Sequence, residues 1–272
     1  MRKIIYPLLV VLIVGGLYYG EKYIPSLNDK KEVTETQIRN SEPSRFTDDF
    51  LPESTTGEIV KHTYYTLSYS KKYLQAEWVA YNLHPSHLSD NSFKRPYFEI
   101  DKKVKGGSAD WRNYQNSGFD RGHLCPAGDR RFSFEAYKET FVTSNASPQN
   151  RSFNSGVWNR LEIQIRNWIP KKGELYIITG GVLKDGLPTI GSEKVSVPEY
   201  FYKIVVAYKD NTPVSIAFLI PNKATGSHIS TFVTSISDIE KITGLSFFTN
   251  LQQETEAQIK MPADYEFWGM RK

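Results

Sequence analysis

Residues 120–130 read Asp-Arg-Gly-His-Leu-Cys-Pro-Ala-Gly-Asp-Arg, and two of them carry complementary chemistry. His123 has an unperturbed pKa of about 6.5, so it can take and return a proton near neutrality, as a general base must. Arg121 carries a guanidinium that stays charged and presents a rigid fork of donors matched to a phosphate. In an extended segment, side chains two apart share one face, which sets Arg121 beside His123. Gly122 between them lets a ligand backbone come close. Taken alone, Arg-Gly-His also fits a polar surface turn holding a hydrogen-bonded histidine.

Further along, Asn154 opens a segment in which Val157, Leu161, Ile165 and Trp168 form an apolar helical stripe, closed by Pro170 and Gly173. Asn154, Trp158 and Glu162 follow at four-residue intervals on a neighbouring face. Eight helical residues rise about 12 Å, and an Asn or Glu side chain reaches only about 2.5 or 3.5 Å, so one hard cation does not touch both. If Asn154 binds a metal directly, Glu162 acts through water. The plainer roles are a helix N-cap for Asn154 and an i,i+4 ion pair with Arg166 for Glu162. His84 and His87 are three apart, but the intervening proline and the lack of a third ligand favour a loop or helix start over a metal pair.

These groups need a frame. Residues 64–69 and 76–81 are rich in aromatic and β-branched side chains and read as a β-hairpin. Residues 95–101 look like a short strand, 106–118 like a loop, and 133–141 like a helix with Phe134, Tyr137 and Phe141 on one face. Residues 143–149 are turn-rich. Residues 175–179, 200–208 and 214–219 read as strands of a core sheet, the last two joined by a turn at Asp210-Asn211. A helix over 236–243 ends at Gly244, with Ser235 or Ser237 as its cap.

With 39% hydrophobic and 14% aromatic residues in 272, the chain can build a substantial core. Its one cysteine, Cys125, excludes an intrachain disulfide. The net charge of +4 is uneven: residues 1–20 carry +2, and residues 21–58, with five basic and nine acidic side chains, carry −4. That leaves +6 for residues 59–272, a balance suited to a polyanionic partner. Met1-Arg2-Lys3 precedes an apolar run to Gly20, so residues 1–22 read as a signal peptide or signal anchor, which places the bulk of the protein outside the cytoplasm. A helix of that run spans roughly 25 Å, slightly short of the ~30 Å hydrocarbon core, and leaves both readings open. Residues 23–58 read as a flexible charged linker and 59–272 as the folded domain.

The motif at Asp120–Asp129, then Thr143-Ser144-Asn145-Ala146-Ser147-Pro148-Gln149, then Asn154-Ser155-Gly156-Val157-Trp158-Asn159-Arg160-Leu161-Glu162, resembles the DNA/RNA non-specific endonuclease family, in that order, between about Tyr64 and Phe248. The resemblance implies an α+β protein with the ββα-metal (His-Me finger) nuclease fold, a central antiparallel sheet flanked by helices. It implies metal-dependent hydrolysis of DNA and RNA with little sequence preference, leaving 5′-phosphates. In that scheme His123 is the general base, and Arg121 and Arg95 hold the scissile phosphate. Asn154 is the sole protein ligand of one Mg2+ (or Mn2+), and Glu162 holds a metal-bound water. Residues 143–149 help seat the site, with Asn145 and Gln149 holding loop backbone. Cys125 departs from the small residue more usual in that place, and a buried small hydrophobe accounts for it. Two other functions compete: a nucleic-acid-binding module without catalysis, and a phosphodiesterase of small nucleotides.

Overall fold

The computed structural model describes residues 44–55 and 57–271. The signal or anchor segment and residues 23–43 of the linker lie outside the described residues.

The centre is a seven-stranded, wholly antiparallel sheet in the order β1-β2-β3-β6-β9-β10-β11. Its strands are β1 (Glu58–Lys61), β2 (Thr66–Ser70), β3 (Gln75–Leu83), β6 (Leu175–Gly181), β9 (Tyr200–Lys209), β10 (Thr212–Pro221) and β11 (Val233–Thr234). The predicted hairpin is β2–β3, and the three predicted core strands are β6, β9 and β10. β9 and β10 are joined at Asp210 and Asn211, both with positive φ (49° and 65°), as a tight hairpin turn demands.

Because strand side chains alternate, the apolar β6 and β9 feed two cores. Ile177, Phe201 and Val205 face one layer with Leu161, Ile165 and Trp168 of the long helix α3 (Asn159–Lys172). Ile178, Ile204 and Val206 face the other, with Ile236 and Ile239 of α4 (Ile236–Thr243) and Ile259 of α5 (Gln253–Ile259). Ser235 caps α4 through its side chain, and Gly244 closes it at φ 70°. Burying such side chains contributes about 1.5–3 kcal/mol each, before the entropy of ordering them.

The linker expectation fails over its last part. Phe46 and Phe50 are buried and pack on Tyr176 at 5.4 and 5.5 Å between ring centroids, so residues 44–55 belong with the domain. Two phenylalanines four apart in a polar, acidic stretch were the signal that composition averaged away. The aromatic tail is also structural: Trp268 is fully buried, donates from Nε1 to the Ser215 carbonyl, and accepts at its own carbonyl from Trp168 Nε1 at 2.8 Å. Residues 95–101 are not a strand; a single bridge between Glu99 and Val142 is their only ladder contact.

Outside the sheet, β4 (Phe119–His123) pairs antiparallel with β5 (Ala146–Asn150), a strand where a turn-rich stretch was expected. The chain then enters α2 (Arg151–Phe153), a π-helical turn over Asn154–Trp158, and α3. This strand–strand–helix unit carries the site. The short α1 (Phe134–Glu139), capped by Ser133, lies between β4 and β5 in sequence. Two short strands, β7 (Thr189–Ile190) and β8 (Val195–Ser196), form a separate pair.

Candidate active site

β4 presents Arg121 and His123 on one face, with Phe98 beneath both. The His123 and Phe98 ring centroids are 5.0 Å apart, and the Arg121 guanidinium carbon lies 5.6 Å from the same ring. Gly122 serves a different purpose from the one expected. A Cβ there would fall 2.0 Å from Gln149 Oε1, so the missing side chain makes room for a buried glutamine rather than for a ligand. The Gln149 amide has no hydrogen-bond partner among the described residues, and Asn145 alone of that pair holds the loop. Asn145 Oδ1 accepts from the Cys125 amide at 2.8 Å, and its Nδ2 donates to the carbonyls of Cys125 and Thr140. Cys125 is fully buried, and burial pushes its thiol up to about 12, which makes it inert.

Aromatic rings frame the histidine. Phe141 meets the His123 ring edge-on at 4.8 Å and also lies 5.6 Å from the Arg95 guanidinium, so each of two arginines rests on a ring that touches the imidazole. Trp111 steadies Arg121 from the other side, accepting at its carbonyl from Nη1 at 3.5 Å. Burial, and then the Arg95 charge, hold the His123 pKa down at about 3, so the imidazole is neutral at pH 7. Its Nε2 is buried without a hydrogen-bond partner among the described residues, a costly state that a water or ligand oxygen would relieve.

Asn154 is not the N-cap. Asn150 is, accepting at Oδ1 from the amides of Ser152 and Phe153, which leaves the Asn154 side chain free for another role. Asp120 Oδ2 accepts from Asn154 Nδ2 at 3.1 Å. A carboxylate accepts and does not donate, so this contact fixes the amide and turns Oδ1 away from Asp120. The helix then widens into its π turn, where Gly156 has non-helical φ/ψ of −99° and −110°. That irregularity alters the straight-helix spacing expected between Asn154 and Glu162, and it turns Trp158 into the core at 1% exposure.

Glu162 sits close to charges without an ion pair of its own. Its i,i+4 neighbour Arg166 donates instead to Asp129 Oδ1 at 2.6 Å, and Asp129 is steadied by the Tyr81 hydroxyl at 2.9 Å. Burial raises the Glu162 pKa to about 7; Asp129 adds to the rise, and Lys203 and Arg166 oppose it. Lys203 is fully buried, its Nζ unbonded among the described residues and 4.7 Å from the Trp158 ring, and burial lowers its pKa.

One cleft of about 770 Å³ is lined by His123, Arg95, Asn154, Glu162 and Arg166. Arg121 lines an adjoining hollow of about 600 Å³ that shares Arg95 and Asn154 with the first. Sequence reasoning overlooked Phe98 and Phe141 as the frame, Asp120 as the group that orients Asn154, and the Asp129–Arg166 pair. It also overlooked Lys203, although a lysine inside the apolar run of β9 is a visible anomaly. His84 and His87 are not a metal pair: His84 Nδ1 accepts from the Ser86 amide and His87 stacks on Phe132 at 4.3 Å.

Among the described residues no group of three or more His, Cys, Asp or Glu is placed to hold an ion. Two carboxylates, Asp90 and Glu162, line the cleft with the oriented Asn154 amide, a sparse set of donors. It fits a hard cation that keeps most of its water, as Mg2+ does.

The chain matches the family model described as DNA/RNA non-specific endonuclease over residues 42–254. It is 35% identical over 221 residues to the mitochondrial nuclease EXOG of Danio rerio, covering 75% of this chain and 64% of that protein. It is 30% identical over 274 residues to a nuclease of Nostoc sp., covering 94% and 96% respectively. The chain spans 58–64% of the length of the fish, mouse and human EXOG proteins. Among solved structures, a chain of the EndoG/EndoGI complex superposes with a TM-score of 0.69 at 27% identity, covering 76% of this chain and 91% of that one. The family model spans the strand–strand–helix unit and most of the domain around it, and this chain belongs to the DNA/RNA non-specific endonuclease family.

Proposed function

We propose that the protein is a metal-dependent endonuclease that hydrolyses phosphodiester bonds of DNA and RNA with little sequence preference. The observation that carries this reading is the meeting, in one cleft, of a histidine held neutral, a guanidinium beside it, and an asparagine oxygen aimed away from its carboxylate partner.

In this mechanism the His123 imidazole accepts a proton from the water that attacks phosphorus. It needs no prior deprotonation at pH 7. Arg95 and Arg121 offset the charge of the scissile phosphate, and the aromatic rings beside them support them while leaving most of their donors free. Asn154 would hold Mg2+ (or Mn2+) directly, and Glu162 through water, with Asp120 keeping the amide in register. A bound ion would supply Lewis-acid stabilisation of the charge that develops during hydrolysis. Contacts confined to phosphate carry no base information, which fits low sequence preference.

The two adjoining hollows favour a polymer over a small nucleotide, because they extend the cleft on both sides of Arg95 and Asn154. The apolar N-terminal segment fits export to an extracytoplasmic location, anchored or released, which cell fractionation tests. The full chain, incubated with supercoiled plasmid, a structured RNA and a dinucleotide, should cut the two polymers only with Mg2+ and the dinucleotide poorly. DNA bound but uncut would favour the binding-module reading, and preferred cleavage of the dinucleotide the small-nucleotide one.

A further inference from the structure

The hollow on the Arg121 side shares Arg95, Arg121 and Asn154 with the chemistry above, but Lys94, Tyr97 and Arg151 in its lining have no part in it. Arg121, Lys94 and Arg151 line it together with Tyr97. Tyr97 is 93% exposed, whereas the other exposed large hydrophobic side chains among the described residues range from 40% to 59%. No ring, cation or hydrogen bond partners it among the described residues. It stands two positions from Arg95 and next to Phe98, the buried ring under His123, so it lies close in the chain to the reacting centre. Arg151 is also largely in solvent, with one 3.4 Å contact to Asp120 Oδ1.

An isolated aromatic face among cations along a groove is the arrangement by which proteins take up single-stranded nucleic acid. The cations follow the backbone and the ring stacks on a base, whatever that base is. Within a duplex both faces of a base are already stacked, so such a ring gains only from an unpaired one. We propose that Tyr97 stacks on an unpaired base of the nucleotide flanking the scissile phosphate, while Lys94 and Arg151 hold the neighbouring phosphate, so that single-stranded DNA or RNA is the preferred form of substrate. This rests on the phosphodiesterase reading above and specifies its substrate.

The test uses the full chain with Mg2+ on three substrates: a single-stranded 20-mer, the same sequence as a duplex, and bis(p-nitrophenyl) phosphate, which has no base. Binding of the single strand is measured separately in EDTA by fluorescence anisotropy. For Tyr97→Ala, the ratio of kcat/KM on the single strand to that on bis(p-nitrophenyl) phosphate should fall about tenfold or more, through KM. Anisotropy should weaken by a similar factor, and Tyr97→Trp should restore both. Unchanged ratios and binding would overturn the proposal, and so would an equal loss on all three substrates, which would mark Tyr97 as a support for Arg95. If the wild type cuts nothing but binds the single strand in a Tyr97-dependent way, the stacking stands and the hydrolytic reading falls. If it neither cuts nor binds, both fall.

Discussion

His123 and His62 are both set against aromatic rings, and their neighbours push their protonation in opposite directions. His123 lies between Phe98 and Phe141, with Arg95 as the charge that acts on it, and it is held neutral. His62 stacks on Tyr65 at 4.4 Å, but its Nε2 is 2.9 Å from Asp101 and its Nδ1 3.5 Å from Glu139. Burial opposes its charge, and the hydrogen bond to Asp101 together with the nearby Glu139 carboxylate outweighs that and raises its pKa. A carboxylate within reach favours the protonated form of a buried imidazole and ties segments together. Its absence leaves the ring available to accept a proton. His62 joins the chain after β1 to Asp101 and to the end of α1, and Lys103 approaches Glu139 from outside at 3.5 Å. It is a structural clamp, and the Asp101 it holds ends the segment that bears Arg95 and Phe98.

The comparison sharpens from the largest expected effect down. Asn154→Ala should lower kcat on plasmid by more than the 10- to 100-fold typical of outer-shell partners, because it would remove the proposed direct metal donor. His62→Ala should cost about 3–5 kcal/mol in urea denaturation, since the buried Asp101 carboxylate loses its counter-charge. Glu162→Gln should reduce activity about 10- to 100-fold and raise the Mg2+ concentration needed for half-maximal cleavage.

The two rings also make opposite contributions to stability with pH. The raised pKa of His62 stabilises the fold below pH 6.5, and that contribution fades as pH rises through its folded value. Glu139, held at about 2 against burial by His62, contributes above about 4.5 and loses this as pH falls. The clamp is therefore at full strength between about pH 4.5 and 6.5. His123, depressed to about 3, instead costs stability as pH drops below 6.5. Imidazole 15N shifts at pH 6.5 should show His62 mostly protonated and His123 neutral; a reversed pattern would remove the distinction. The smallest effect is at Cys125, where a thiol reagent should leave the native protein unmodified and Cys125→Ser should change activity less than twofold.

The unequal treatment of these histidines in sequence has a physical origin. His123 is announced by its immediate neighbours, because Arg121, Gly122 and the turn after it are local. His62 meets Asp101 only across 39 residues, a pairing that no spacing rule reveals. The same division runs through the rest of the molecule. Strands β6, β9 and β10 and helix α4 were legible because periodicity and turn residues are local properties. The packing of Phe46 and Phe50 on Tyr176, the π turn at Gly156 and the transfer of Arg166 from Glu162 to Asp129 depend on tertiary contacts. Gly122 was visible as a glycine, but its reason, the buried Gln149, lay on the partner strand.

The most direct test is plasmid cleavage by His123→Ala and His62→Ala side by side, normalised to the folded fraction of each. His123→Ala should remain folded and lose about 10²- to 10⁴-fold in kcat, the range of a general base. His62→Ala should be less stable but keep most of its activity per folded molecule. A folded His123→Ala that still cuts at the wild-type rate would contradict the account, and so would a folded His62→Ala that does not cut.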